Sequence, residues 1–420
     1  MKRYWTSVVA VLLALSGIIV YYSIGTRNHL PEYKLETVQG NPVYGKAVNL
    51  SGSYFGNMRS EQLSVSMRGS VYRESNFTFR HYLADSGSWF YSQSGIKALV
   101  DKYSSFMRGK MNFDGFFRDK ERVIYAEAER VGGRSEEAGV RISLDILDEK
   151  SGKESRIENT YPLKTAFDYL YLVDVQLVED QVFLLVQQLY YEKPPGGKEL
   201  FVIDINNGNL LRNELIHGPE RGGNGGQTEI SIIKPLIFSD TSQHIILDER
   251  TSSDVIDGHR NSVEKAASAA VDDEVPSKLY SFSYVTGEVV ALPDHYSLAK
   301  KSGQRAYSLQ NDMFYWAESD PASISLSRYD LALKKDDFDY TTITAEAIGG
   351  GVIKSVQISK DRVYVLLMKE ERAMAAVLDL KDGMLLYSGK PAVVDDNSRS
   401  AEKLSAIRLL NLDVHERYNE

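Results

Sequence analysis

The chain has 420 residues, of which 43% are hydrophobic and 25% charged, a balance that excludes collagenous, disordered and multi-span membrane classes. Asp and Glu number 58 against 49 Lys and Arg, and this acidic balance without a basic stretch argues against a nucleic-acid partner. Cysteine is absent, which removes disulfides, thiolate metal sites, Cys nucleophiles and a lipidated N-terminal Cys.

Lys2 and Arg3 open the chain, followed by Tyr4 and Trp5 and then an uncharged run over residues 6–26. At about 1.5 Å per helical residue such a run reaches about 30 Å, the thickness of a hydrocarbon core. Tyr4/Trp5 and Tyr21/Tyr22 stand where interfacial aromatic belts belong. The run is therefore expected to be a spanning signal-anchor over residues 6–24, in contact with the lipid bilayer. The rival is a cleaved signal peptide with its small-residue site near Ser16 and Gly17, but Ile18, Ile19 and Val20 carry the apolar run past that point. Lys2, Arg3 and the α-amino group oppose Arg27, so the N-terminus is expected in the cytoplasm and the remainder outside it. Residues 1–26 are thus expected to form the cytoplasmic tip and anchor, 27–45 a polar stalk, and 46–420 an extracytoplasmic domain at the cell membrane.

From there short apolar runs alternate with turns. Arg122, Gln181, His244, Asp312 and Arg362 each open a run of aliphatic and aromatic residues. Downstream of each lies an alternating strand that ends in a turn, at 144–152, 201–208, 280–287, 327–334 and 376–383. Apolar positions there supply a buried face, Asp or Asn folds onto nearby amides, and Gly provides positive φ. The 26 Tyr and 15 Phe favour strands, because flat rings pack well on a pleated surface. Repeats of this length holding short antiparallel strands predict an all-β fold, a β-propeller of about six four-stranded blades following one N-terminal transmembrane helix. Residues 62–108 are read as a diverged first blade, and the count becomes seven if residues 40–60 pair with the C-terminus. The strand over 408–414 is a candidate for closing the ring, since an unpaired edge exposes a row of backbone donors. A short helix is expected within 398–407.

The strand-turn-strand copies at 203–210 and 378–385, with Asp204 and Gly208 or Asp379 and Gly383, resemble the repeats of pyrroloquinoline-quinone-type and related propeller proteins. The resemblance implies a propeller fold over about two thirds of the chain. The quinone-type repeat carries a Trp after the Gly of each blade, whereas the three Trp here are Trp5, Trp89 and Trp316, none in that place. No quinone or other cofactor is expected.

Other chemistry is sparse. The seven His form no pair at metal-ligand spacing, so no metal site is assigned. The turn at Asp204 lacks the carboxylates of a calcium loop, and the clusters at 336–339 and 272–274 read as solvated turns. No nucleophile elbow, phosphate loop or dinucleotide fingerprint occurs, and no catalytic residue is assigned. Binding is expected in segments that interrupt the repeat: 192–198, 218–226 and 251–277. Candidate residues are Tyr190 and Tyr191, which abut the first segment, Arg221 in the second, and Asp254, His259 and Asp272 in the third. Tyr169/Tyr171, Tyr315/Trp316 and Trp89–Tyr91 are further aromatics suited to stacking on sugars or peptides. The expected function is a non-catalytic binding or scaffold module for a protein partner or an envelope polysaccharide. The alternative is an extracytoplasmic hydrolase or lyase acting on envelope carbohydrate, with acids gathered at the channel.

Overall fold

A computed structural model describes residues 30–56, 59–73, 94–132, 139–162, 167–189, 197–216, 227–233, 242–252, 277–296, 304–394 and 400–414. In chain order these form β1 (Tyr33–Gly40), a four-residue helix α1 (Pro42–Gly45), β2 (Val48–Gly56), β3 (Arg59–Ser66) and β4 (Gly69–Arg73). Helices α2 (Ser94–Lys102) and α3 (Ser104–Met107) follow. Next come β5 (Phe116–Arg118), β6 (Arg122–Val131), β7 (Gly139–Asp148) and β8 (Glu154–Pro162), which pair in that order as a sheet. The same plan recurs in β9 (Tyr169–Val178), β10 (Gln181–Leu189), β11 (Lys198–Asp204) and β12 (Leu210–Ile216). It recurs again in β13 (Gln227–Ile233), β14 (His244–Ser252), β15 (Ser277–Ser283) and β16 (Val289–Ala291). A fifth sheet holds β17 (Gln304–Gln310), β18 (Met313–Ser319), β19 (Ser323–Asp330) and β20 (Lys335–Thr344). The sixth holds β21 (Val352–Ser359), β22 (Arg362–Lys369), β23 (Arg372–Asp379) and β24 (Leu385–Val393), with β1 added beside β24. Helix α4 (Ser400–Ser405) leads to β25 (Ile407–Val414), which pairs with β2 and completes the first sheet in the order β25-β2-β3-β4.

Among the described residues the fold is therefore all-β, six antiparallel sheets, five of four strands and one of five, a pattern consistent with a propeller. First strands of successive sheets lie against one another, β5 on β9, β17 on β21 and β21 on β25, so these strands are the innermost. Closure is double. Val48 to Tyr54 pair with Val414 to Ile407, which joins the C-terminal strand to the first sheet, while Tyr33 to Gly40 pair with Val393 to Tyr387 on the outer edge of the sixth.

Apolar residues of facing sheets fill the gaps. Ile142 and Leu144 meet Val182, Leu184 and Phe201 between the second and third sheets. Leu185 and Val202 meet Ile245 and Phe282 between the third and fourth. Ile246 and Leu279 meet Phe314 and Trp316 between the fourth and fifth, and Leu326 meets Val365 and Ala376 between the fifth and sixth. Tyr364 and Val377 meet Leu50, Leu63 and Leu412 where the sixth adjoins the first. The opposite face of the second sheet is covered differently: Ile96 and Leu99 of α2 and Phe106 and Met107 of α3 pack on Val123, Tyr125 and Leu147. The Tyr excess serves this core, since Tyr33, Tyr284, Tyr296, Tyr364 and Tyr387 are all fully buried.

The turn between third and fourth strands is built as the sequence implies. Asp204 accepts at Oδ1 from the amide of Asn206 (2.8 Å) and at its carbonyl from Gly208 (2.8 Å), and Asp379 does the same for Lys381 and Gly383. Gly208 has φ +73°. In the fifth sheet Lys334 takes this left-handed position, at φ +53°. A second recurring contact ties neighbours together: a fourth-strand side chain donates to the carbonyls of the next sheet's turn. The Tyr161 hydroxyl and Asn159 amide donate to Gly208 (2.7 and 3.0 Å), Arg212 to Tyr284 and Val285, and the Tyr340 hydroxyl to Leu380.

The five runs opening at Arg122, Gln181, His244, Asp312 and Arg362 are the second strands, and the alternating segments downstream are the third. The closing strand over 408–414 and the helix within 398–407 are where the sequence puts them. Two expectations are corrected. Residues 33–40, assigned to the stalk, form β1 and belong to the sixth sheet. Residues 62–108 do not make a blade of their own: β3 and β4 share a sheet with β2 and β25, and Val100 lies on α2. Residues 48–54 do pair with the C-terminus, and they do so within the six sheets found among the described residues. Among the described residues no helix is long and apolar enough to cross a membrane; residues 6–26 lie outside them.

Candidate functional site

Strand direction alternates within every sheet, so connections fall into two sets on opposite ends. Those joining first to second and third to fourth strands are mostly tight: 119–121, 179–180, 311–312 and 360–361 in one class, and 149–153, 205–209, 284–288, 331–334 and 380–384 in the other. At the other end lie the connections from second to third strand and from one sheet to the next. These include 74–115, 132–138, 190–197, 217–226, 253–276 and 292–303. Long chain excursions thus gather at one end, with 234–243, between β13 and β14, the long exception at the other. Loops carried in this way on a rigid frame are the usual carriers of binding.

All six sequence candidates, Tyr190, Tyr191, Arg221, Asp254, His259 and Asp272, lie outside the described residues. The described strand ends that flank them belong to the loop-bearing end. Trp89–Tyr91 also lie outside the described residues.

Described side chains at this end are unusually polar for their burial. Tyr169 and Tyr171 begin the innermost strand β9 and remain 45% and 48% exposed, because their odd-numbered face is opposite to Leu170 and Leu172, which pack in the core. Beside them Gln187, Gln188, Lys198 and Glu199 close the β10–β11 pair, and all four are buried. Glu199 has no exposed surface; its Oε2 accepts from Gln188 Nε2 at 2.7 Å, while Oε1 has no hydrogen-bond partner among the described residues. The Lys198 ammonium donates across the interface to the Ile230 carbonyl of the fourth sheet.

A second polar group sits between the fourth and fifth sheets. Asp248 is 1% exposed and accepts at Oδ2 from Arg250 Nε (2.8 Å) and Ser231 Oγ (3.4 Å), leaving Oδ1 without a partner among the described residues. Across from it, on β17 and β18, Arg305 lies 3.7 Å from Glu318 and 5.9 Å from the ring of Trp316. Burial, and then the charge of Asp248, push the Tyr307 hydroxyl pKa up. Burial, with the hydrogen bond and charge of Glu249, pushes Tyr280 up to about 12. Buried carboxylate oxygens strongly favour a hydrogen-bond donor. The end therefore offers the aromatic faces of Tyr169 and Tyr171 and the guanidinium of Arg250, with buried carboxylates behind them, a set suited to a polar polypeptide surface.

Other candidates are engaged structurally. Trp316 is 2% exposed within the core, which corrects its reading as a stacking surface. In the acidic cluster Asp336 accepts from the Tyr296 hydroxyl (2.8 Å) and pairs with His295 (2.9 Å), Asp337 pairs with Arg328 (2.7 Å), and Asp339 meets Ser327. Among the described residues no group of three or more His, Asp or Glu stands close enough to hold a metal. His244 pairs through Nδ1 with Asp312 at 2.7 Å, joining the fourth and fifth sheets. Sequence reasoning passed over Glu199 and Asp248. Their only signal is a carboxylate on the core-facing side of an apolar strand.

No family model matches the chain, and no curated protein matches it. Solved structures similar to it include an ACO/RPE65 chimera, 11% identical over 66% of this chain and 60% of the other with TM-score 0.33. A D477G form of that chimera gives 9% identity, 86% and 93% coverage and TM-score 0.40. The Dos1 propeller gives 13%, 63% and 57%, and 0.28. The chain spans about 60% of the length of the first of these. At such scores the fold rests on the strand pairing itself, and the quinone-type resemblance on the residues that carry it.

Proposed function

We propose that the protein is a membrane-anchored extracytoplasmic six-bladed propeller, a non-catalytic module whose loop-bearing end holds a protein partner. The observation that carries this reading is the division of connections: tight turns at one end, long chain excursions at the other. Extra chain on a closed frame adds contact surface at small entropic cost, since each doubling of loop length costs only about 0.6 kcal/mol. Tyr169, Tyr171 and the guanidiniums of Arg250 and Arg305 are residue types that dominate protein interfaces. The uncharged run over 6–24 supplies the anchor, with Lys2 and Arg3 on the cytoplasmic side.

Deleting residues 254–273 spares the paired strands β14 and β15 and tests the reading directly. The shortened protein is expected to melt as the parent does and to recover much less partner when crosslinked and purified from its own membrane. Undiminished recovery overturns the assignment of binding to this end.

A further inference from the structure

The outer rim of the joint between the fourth and fifth sheets carries an aromatic pair that the fold holds in solvent. Tyr296, in the single helical turn Asp294–Tyr296 after β16, is fully buried and packs edge-on against Phe314, Trp316 and Tyr329 of the fifth sheet. Next to it His295 stands against Phe338 of β20, with ring centroids 4.0 Å apart and planes at 49°. Both residues reach solvent, Phe338 with 41% of its surface. Asp336 pins the arrangement: Oδ1 accepts from the Tyr296 hydroxyl at 2.8 Å, and Oδ2 meets His295 Nε2 at 2.9 Å. Phe338 owes its position to a bulge. Leu326 pairs with Thr341 and Arg328 with Asp337, so residues 338–340 stand opposite Ser327 alone. β12 and β24 each carry a single extra residue against their third strand, whereas β20 carries two. Within the bulge Asp339 has φ +48°, and among the described residues it is the only non-glycine with positive φ inside a strand. Its amide donates to Ser327 Oγ at 2.9 Å, and that hydroxyl donates to Asp339 Oδ1 at 3.3 Å. A bulge re-aims a side chain, and backbone strain of this kind concentrates at functional sites. Here the side chain it re-aims is a large apolar ring left in water.

We infer that the His295/Phe338 platform binds an uncharged sugar ring of a polysaccharide chain. Size argues against a protein as the occupant. Two partly exposed rings offer on the order of 150 Å², against about 800 Å² per partner in a standard protein interface. One pyranose ring covers a surface of that size, and its C–H face packs flat on an aromatic side chain. Asp336, whose oxygens already hold Tyr296 and His295, keeps lone pairs at the platform's edge for sugar hydroxyls. Charge selects the class of sugar: within two residues of either ring along the chain stand Asp294, Asp336, Asp337 and Asp339 and no Lys or Arg. Such a set disfavours uronates, phosphates and anionic headgroups. The rings are set in place by buried Tyr296, so little order is lost to binding. Phe338 lies on an outermost strand, in the half nearer the turn at 331–334, away from the loop-bearing end. The platform therefore depends on neither the protein partner nor the anchor proposed above.

The test presents the full chain in detergent with an array of uncharged hexasaccharides of glucose, N-acetylglucosamine, mannose or galactose, and with a galacturonate hexamer as the acidic control. At least one uncharged hexamer is expected to bind, and the acidic one on the order of tenfold more weakly. Phe338→Ala is expected to weaken that binding on the order of tenfold and Phe338→Tyr to restore it, with both variants melting as the parent does. In the parent itself, bound sugar is expected to shield His295 from diethyl pyrocarbonate, read at that residue by mass spectrometry. Binding of no uncharged hexamer, undiminished binding by Phe338→Ala, or unshielded His295 overturns the site. Tighter binding of galacturonate overturns the uncharged class. A proline-rich peptide that binds where the sugars do not, and is lost with Phe338→Ala, identifies a polypeptide as the occupant and overturns the proposal. Deleting residues 254–273 is expected to leave sugar binding intact whatever it does to partner recovery; loss of sugar binding in that variant moves the site to the loop-bearing end and overturns the platform.

Discussion

Gly208 shows how one residue serves both a turn and an interface. Its φ of +73° disfavours any side chain with a Cβ, and a Cβ built there meets Asn159 Nδ2 and Ile157 Cγ2 of the preceding sheet, each at 2.6 Å. Gly152 occupies the matching turn of the second sheet at φ +70° with no atom within 4 Å of its Cβ position. Backbone strain is common to both, so Gly152→Val is expected to cost about 1–2 kcal/mol. Gly208→Val adds the clash and displaces the acceptor of Tyr161 and Asn159, so its loss should exceed that of Gly152→Val by at least about 1 kcal/mol. Equal shifts in denaturant midpoint for the two would show that the turn of the third sheet does not bear on its neighbour. The strain was legible in the sequence, because Asp204 and Gly208 stand four residues apart at a turn between two strand-like runs. The clash was not: Ile157 and Asn159 lie on a mostly exposed fourth strand whose composition gives no hint of what it touches.

At the scale of elements, α2 and α3 are held to the second sheet by an ion-paired rim as well as by apolar contact. Arg118 on β5 bonds both oxygens of Glu149, and Lys102 of α2 reaches the same carboxylate at 3.2 Å, with the Tyr103 hydroxyl also at 3.2 Å. Burial opposes ionisation of Glu149, but the hydrogen bonds and charges of Arg118 and Lys102 prevail and hold its pKa below the usual carboxylate value. A depressed carboxylate stabilises the fold above its unfolded pKa of about 4.3 and loses that contribution as pH falls through the folded value. Arg118→Met is expected to cost about 3 kcal/mol near pH 7. Its deficit should shrink on acidification below about pH 4, as followed by chemical unfolding at several pH values. A deficit independent of pH would assign Arg118 a packing role alone. Second and third strands were readable because apolar alternation and turn chemistry coincide there. Fourth strands such as β8 and β20 were not, since they are outer edges dominated by charged and polar residues. The first sheet was misread because its innermost strand comes from the far end of the chain.

For the whole molecule, ring closure depends on β25. Ending the chain after residue 406 would strip the first sheet of its innermost strand and leave β2 with an unpaired edge. Such a protein is expected to lose cooperative melting or to aggregate, while ending it after residue 414 leaves the transition unchanged. A sharp native transition in the 406 truncation would show that the ring does not require its C-terminal strand. The closing strand was legible at 408–414, whereas the count of six rested on five repeat copies and a diverged first blade at 62–108 that the structure does not contain. The candidate site was legible only as interrupted repeats, since Tyr169 and Tyr171 come to lie beside Gln187 through strand pairing, which no local pattern encodes. The placement of β1 also governs how the domain bears load. A pull transmitted from residue 30 acts along β1, away from the tight-turn end, and the strand can leave β24 only by sliding past it. The interstrand bonds run across the pulling direction, so those between Tyr33 and Gly40 resist together and must fail together. A domain dragged through its stem is thus gripped in shear, where a hairpin peeled from its tip would open one bond at a time.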